Sequence, residues 1–319
     1  MKLVMTLLVR DEADVLDEQL AFSFAAGVDF VVATDHGSSD GTTEILERYA
    51  EAGVLVLQRE SGGEYRQTEW VTRMARLAAS EHGADWVINS DADEFWWPCG
   101  GGLKDVLARL PSYVGVVHTL VRVFPPREGE GPFYERMDVR FTPAAPVNDP
   151  TSPFRVNTRL VHRASPSVRI GRGNAALSGL EAGLVQAPAP IEVLHFPIRG
   201  LAHLERKFLT HHTTLGTRRR GDHVRVFEAR RHGSVARLYD SLRVDDGRLE
   251  RGLKDGSLAV DTRLRDALCL LEVDLATRVP FAARTRAEQA QFAVEASVLH
   301  EGEAARVVRR VDELEERVG

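Results

Sequence analysis

ADWVINSDADEFWW, residues 84–97, drives an apolar run straight into three carboxylates, Asp91, Asp93 and Glu94, and follows them with Phe95, Trp96 and Trp97. Trp86, Val87 and Ile88 put large apolar groups on both faces of an extended chain, the pattern of a strand inside a parallel sheet. The carboxyl end of such a strand is where α/β sheets take their ligands. In an extended continuation Asp91 and Asp93 point to the same side, ~6.6 Å apart along the strand. Two carboxylates aimed at one space repel unless a cation or a proton stands between them. Oxygen donors suit a hard divalent ion that keeps positions open for substrate phosphates. An isolated D-x-D is ordinarily a cap or a solvated turn; here the buried strand before it and two further acidic segments favour a ligand site.

Outward from this stretch, strands and helices alternate over the first hundred residues. Residues 3–9 read as a buried strand and 11–27 as a helix with Leu16, Leu20 and Phe24 on one face and Gly27 as its stop. Strands at 28–34, 54–58 and 86–89 alternate with helices at 42–53 and about 67–82. That spacing implies a mostly parallel α/β sheet with right-handed crossovers and flanking helices, of the mononucleotide-binding style. Residues 1–100 form one half. Residues 101–200 are rich in glycine and proline (CGGG, FPPREGEGP, TPAAPVNDPTSP, QAPAPIEV), with short apolar runs between, and read as a loop-rich antiparallel extension of the same sheet. Residues 201–319 read as mainly helical. Val307, Val311, Leu314 and Val318 mark a last amphipathic helix that packs on the body or on a second copy, making a homodimer.

The bulk composition bounds the function. With 319 residues and 43% hydrophobic content the chain can bury a substantial core, and its net charge of −6 argues against a surface built for nucleic acid. Cys99 and Cys269 are too few for a disulfide framework or a thiolate zinc site, which fits a reducing cytoplasm. The N-terminal apolar run meets charge at Arg10 and reads as a first strand, not a signal peptide. No run reaches the roughly 20 apolar residues of a membrane span.

Two further strand ends are acidic. In TDHGSSDGT (34–42), Asp35 and Asp40 bracket a Gly/Ser turn that opens a helix, a place to hold a nucleoside or simply to cap. VRDEAD presents Arg10, Asp11 and Glu12 after the first strand. Three acidic strand ends at one sheet edge imply a nucleotide plus metal site.

In their order and spacing, VRDEADVLDEQL, GVDFVVATDHGSSDGTTEIL, RQTEW, ADWVINSDADEFW and, at 194–208, LHFPIRGLAHLERKF resemble the family-2 type glycosyltransferases of GT-A fold, in particular a bacterial subgroup. The likeness is dense over residues 1–97 and returns near 195. It implies transfer of a sugar from a nucleoside diphosphate sugar to a hydroxyl of a small-molecule or glycan acceptor. Glu12 and Asp40, with Asp35, would then meet the base and ribose, and Arg66, Gln67 and Trp70 of RQTEW would line the substrate. Asp91 would hold ribose or the metal's water shell, Asp93 would ligate the metal, and His195 would complete its coordination. An imidazole beside carboxylates favours Mn²⁺ over Mg²⁺. Lys207 would reach the diphosphate, and one of Trp96 and Trp97 would stack on sugar while the other packs in the core. An inverting enzyme also needs a carboxylate base; Asp149 and Glu181 are the candidates, and if neither serves, a retaining or substrate-assisted course follows. The arginines at 218–231 read either as a lid over the diphosphate or as a solvated segment, and adjacent His211 and His212 cannot face one point on a helix. The rivals are a nucleotidyltransferase acting on a sugar phosphate, a D-x-D phosphatase and a non-catalytic nucleotide- or sugar-binding module.

Overall fold

A computed structural model describes residues 1–60, 65–142, 158–206 and 228–273, all within one unit, Met1–Phe281. Its first strand shows how the fold is built. Along β1 (Leu3–Val9), Leu3, Met5, Leu7 and Val9 enter one apolar cluster while Val4 and Leu8 enter another on the opposite face. A strand buried on both sides needs a helical layer on each. α1 (Leu16–Ala26) and α2 (Thr42–Glu51) cover the first face through Leu16, Leu20, Phe22 and Leu46. α3 (Gln67–Ser80) covers the second through Trp70, Val71, Met74, Ala75 and Ala78. Phe24, expected beside Leu16 and Leu20, is only half-buried and stacks on Tyr49 of α2 instead. α1 ends where expected, at Gly27, whose φ of 110° is left-handed and returns its N–H to the Phe24 carbonyl.

β2 (Phe30–Asp35), β3 (Leu55–Arg59) and β4 (Trp86–Ser90) join β1 in parallel. The mostly parallel α/β sheet expected from the sequence is therefore formed. It continues through β5 (Glu94–Pro98), β6 (Val114–Val123), β8 (Thr158–Arg163) and β11 (Val185–His195), in the order β3-β2-β1-β4-β8-β6-β11-β5. The extension is not wholly antiparallel. β8 opposes β4 and β6, and β5 opposes β11, but β6 and β11 run parallel. QAPAPIEV is strand rather than loop: it lies inside β11, and its prolines, which cannot donate to the ladder, coincide with a register shift between Pro188 and Glu192. The carboxyl ends of β1, β2, β3, β4, β6 and β11 and the beginnings of β5 and β8 thus share one sheet edge.

Two small strand pairs lie off the main sheet: β9 (Arg169–Ile170) with β10 (Leu177–Ser178), and β7 (Val139–Phe141) with β12 (Leu258–Val260). After residue 228 the described chain is largely helical, as expected, with α6 (Val235–Leu242), α7 (Asp246–Asp255) and α8 (Arg263–Val273); α4 (Leu103–Ala108) and α5 (Phe133–Arg136) complete the labelled helices. The expected final helix, the adjacent histidines and most of the arginine cluster lie outside the described residues.

Candidate functional site at the sheet edge

The chain does not run extended through Asp91 and Asp93. It leaves β4 at Ser90, turns, and starts β5 at Glu94, whose N–H donates to the Asp91 carbonyl at 3.2 Å. The expected same-side pair is replaced by a turn in which Glu94 and Asp91 share Arg159 while Asp93 faces His195. Glu94 is fully buried; its Oε1 accepts from Arg159 Nε at 2.5 Å and its Oε2 from the Asp91 N–H at 3.3 Å. Arg159 opens β8, and because β8 runs against β4, the topology delivers it to this edge. Burial pushes Glu94 up to about 7, with Arg159 opposing the rise. Burial works against the Arg159 charge, but Glu94 and Asp91 together hold its guanidinium above the ordinary range.

Asp91, about one-third exposed at 35%, faces another Arg159 nitrogen at 3.7 Å and accepts from Asn174 Nδ2 at 3.3 Å. Asn174 is buried in a left-handed conformation, φ 57°, on the β9–β10 excursion. That excursion is tied to α3: Arg76 donates to the Val168 carbonyl at 2.8 Å, the Ile170 N–H donates to Thr72 Oγ1 at 2.9 Å, and the Gly173 N–H donates to Gln67 Oε1 at 3.3 Å. Tyr65, just before α3, has its hydroxyl raised above the ordinary range first by burial and then by the Asp91 charge.

Asp93 is almost wholly buried, and its Oδ1 lies 3.4 Å from His195 Nε2, while His195 keeps 19% exposure. Both are positioned by strand pairing. His195 is the last residue of β11 and the register partner of Glu94, and the Phe196 N–H donates to the Asp93 carbonyl at 2.9 Å. Among the described residues no group of three or more His, Cys, Asp and Glu is arranged to hold a metal ion. Asp93 with His195 offers one carboxylate and one imidazole.

The two other acidic strand ends interlock. Asp35 accepts from the Ser38 N–H (3.1 Å), Ser38 Oγ (2.6 Å) and Thr43 Oγ1 (2.6 Å), which shapes the turn into α2. Asp40 accepts from Thr42 Oγ1 (2.6 Å) and the Thr42 N–H (3.1 Å), and its other oxygen accepts from the Ala13 N–H at 3.1 Å. Asp11, left-handed at φ 54°, accepts from the Ser39 N–H at 2.8 Å. The β1–α1 and β2–α2 loops are thus stitched together by Asp40 and Asp11, while Asp35 shapes its own turn. His36, in the same turn, packs its ring 4.8 Å from Trp70, and burial, then Arg10, holds its imidazole below the ordinary range.

Several expectations need correction. Glu12 does not present a free carboxylate to a base: its Oε2 is bonded by Arg199 and lies 3.6 Å from His203 Nε2. Trp70 is 2% exposed and Trp96 1%, with the Trp96 indole donating to Ser90 Oγ at 2.9 Å, so both are packed inside protein and neither is a stacking platform. Trp97 is buried too, stacked on Phe22 with ring centroids 5.7 Å apart, so both neighbouring indoles face protein, one on each side of β5. Gln67 is committed to Gly173, and Arg66 is exposed and 3.4 Å from Glu69. Glu181 sits on an exposed turn between β10 and β11, a position for a solvated group rather than a base. Asp149 and Lys207 lie outside the described residues. Arg199 stands in the LHFPIRGLAHLERKF segment, but the sequence offered no reason to single out Arg159 or Asn174. The usable signal was the surplus of buried acid at one edge, since buried carboxylates are retained with cationic partners.

No protein-family model and no curated protein sequence matches the chain. Among solved structures it is similar to S. aureus TarS 1-349 in complex with UDP-GlcNAc, at 15% identity and TM-score 0.36 over 66% of this chain and 65% of that one. It is also similar to S. aureus TarS 1-349 in complex with UDP, at 17% and 0.33 over 51% and 47%. A third is the M. tuberculosis glucosyl-3-phosphoglycerate synthase, at 19% and 0.26 over 39% and 44%. The chain spans less than two thirds of the length of each.

Proposed function

We propose that this chain is a GT-A type, metal-dependent glycosyltransferase that moves a sugar from a nucleoside diphosphate sugar to an acceptor hydroxyl. The observation that carries the reading is the pair Asp93–His195, brought to 3.4 Å at the carboxyl edge of a parallel sheet by the β4–β5 turn and the end of β11. The donor set fits a divalent ion. One carboxylate oxygen and one imidazole nitrogen are too few to complete a coordination shell, and such ions take their remaining ligands from water and substrate phosphates. The imidazole favours Mn²⁺ over Mg²⁺. An ion held there would offset the negative charge that builds on the leaving diphosphate.

The chain's own residues supply the rest. The stitched β1–α1 and β2–α2 loops follow strands whose carboxyl ends lie at the same sheet edge, where a nucleoside would be held. Asp91, one-third exposed and steadied by Arg159 and Asn174, would accept from a ribose hydroxyl. Holding donor and acceptor at one edge converts an encounter of two molecules into a reaction within a complex. The base is not assigned. Uridine nucleotides are the first probes. Thermal-shift measurements with UDP-, GDP- and dTDP-sugars, each with and without Mn²⁺, test the reading. Metal-dependent stabilisation by at least one of them is expected; folded protein that responds to none contradicts it.

A further inference from the structure

Arg199 makes four side-chain hydrogen bonds. Its side chain is 1% exposed, and its guanidinium donates to Asp14 through Nε (2.8 Å) and Nη2 (2.7 Å), to Glu12 Oε2, and to the Phe196 carbonyl (3.3 Å). Its own N–H donates to His203 Nδ1 at 3.2 Å, and His203 Nε2 faces the same Glu12 oxygen at 3.6 Å. Burial opposes the charge, but Glu12 and Asp14 hold the guanidinium above its ordinary range; in turn, burial raises Asp14 and Arg199 outweighs it, leaving that carboxyl below the usual value.

The partners lie 185 and 187 positions apart in the chain, so this is a long-range tie between two segments that each carry part of the candidate site. On one side is the β1–α1 loop, whose Asp11 and Ala13 are bonded to Ser39 and Asp40 of the neighbouring loop. On the other is the segment that leaves β11 directly after His195, with Phe196 bonded to Asp93. A planar fork that satisfies two carboxylates and a carbonyl at once is a task for arginine that lysine, with one ammonium, does not reproduce.

We propose that Arg199 is a positioning residue: it locks the nucleoside-side β1–α1 loop to the strand end that carries His195, fixing the separation of the two halves of the donor site. The proposal rests on the reading of this edge as a nucleoside diphosphate site. Partners that orient a ligand-bearing group typically cost 10–100-fold when removed, so Arg199→Lys is expected to weaken Mn²⁺-dependent UDP binding by about tenfold or more. Arg199→Gln should weaken it further, the lysine giving partial rescue. Asp14→Asn, at a half-exposed carboxylate with no ligand role, should move affinity the same way by less, and it serves if the arginine variants do not fold.

Amide hydrogen exchange separates the lock from the functional reading. In Arg199→Lys and Asp14→Asn without UDP or metal, exchange should rise together in residues 10–15 and 196–206 and stay unchanged within β1 and β4. A merely structural role lowers the unfolding temperature but leaves UDP affinity of the folded protein within twofold of wild type; that result, or a rise confined to 196–206, overturns the proposal. Wild-type protein that binds none of UDP, GDP and dTDP would instead overturn the donor-site reading, and the exchange data would then decide the lock alone.

Discussion

Glu94 explains why a chain concentrates three acids after a buried strand. One of the three is not for the ligand: it is buried against Arg159 and the Asp91 N–H and holds the turn in shape. Its folded-state value of about 7 lies above the ordinary 4.5, so the folded protein holds this proton more tightly than the unfolded chain does. The corresponding stabilisation is complete below about 4.5 and is lost as pH rises through about 7. The unfolding midpoint of the metal-free protein should therefore fall across that window, and more shallowly in Glu94→Gln; equal slopes would count against it. Trp96 makes a second prediction at this scale. Trp96→Ala removes a fully buried indole and its bond to Ser90, and should cost about 3–5 kcal/mol by chemical denaturation. If Trp96 were instead a sugar platform, the variant would lose donor affinity with little change in stability.

Helix and strand ends carry the argument at the next scale. Gly27 closes α1 with a left-handed φ of 110°, and a Cβ there would meet no atom closer than 3.7 Å, so the penalty for alanine is conformational rather than steric. Gly27→Ala should destabilise by about 1–2 kcal/mol, read from the denaturation midpoint, and a neutral result would show that the turn relaxes. β11 is tied to α8 by Glu192, which accepts from Arg122 Nε at 2.5 Å and Arg263 Nη1 at 2.7 Å while almost wholly buried. Glu192→Ala removes the buried carboxylate shared by Arg122 and Arg263, the latter keeping Asp261, and should cost about 3–5 kcal/mol, again by denaturation. The prolines of β11 show why this element was hard to read. Pro188 and Pro190 signal loop in isolation, yet a long strand tolerates them where the ladder already shifts register.

At the scale of the molecule, the first four strands and three helices were legible because each keeps its period and ends on its own stop signal, Gly27 being the clearest. The acidic strand ends were legible as one edge for the same reason: parallel crossovers put consecutive carboxyl ends side by side. The partners of those acids were not, because Arg159, Asn174 and Arg199 reach the edge only through pairings far apart in sequence. The extended geometry assigned to Asp91 and Asp93 failed on one local event, the turn that starts β5. What survives is a narrower pair, Asp93 with His195, and its meaning is best tested by titrating UDP into metal-free and Mn²⁺-loaded protein, wild type beside Asp93→Asn and His195→Ala, each confirmed folded. Mn²⁺ should raise the UDP affinity of wild type by about tenfold or more, with most of that gain lost in both variants, on the scale typical of a disrupted metal site. Wild-type affinity that ignores Mn²⁺, or variants that keep the full metal-dependent gain, would contradict a cation site at this pair.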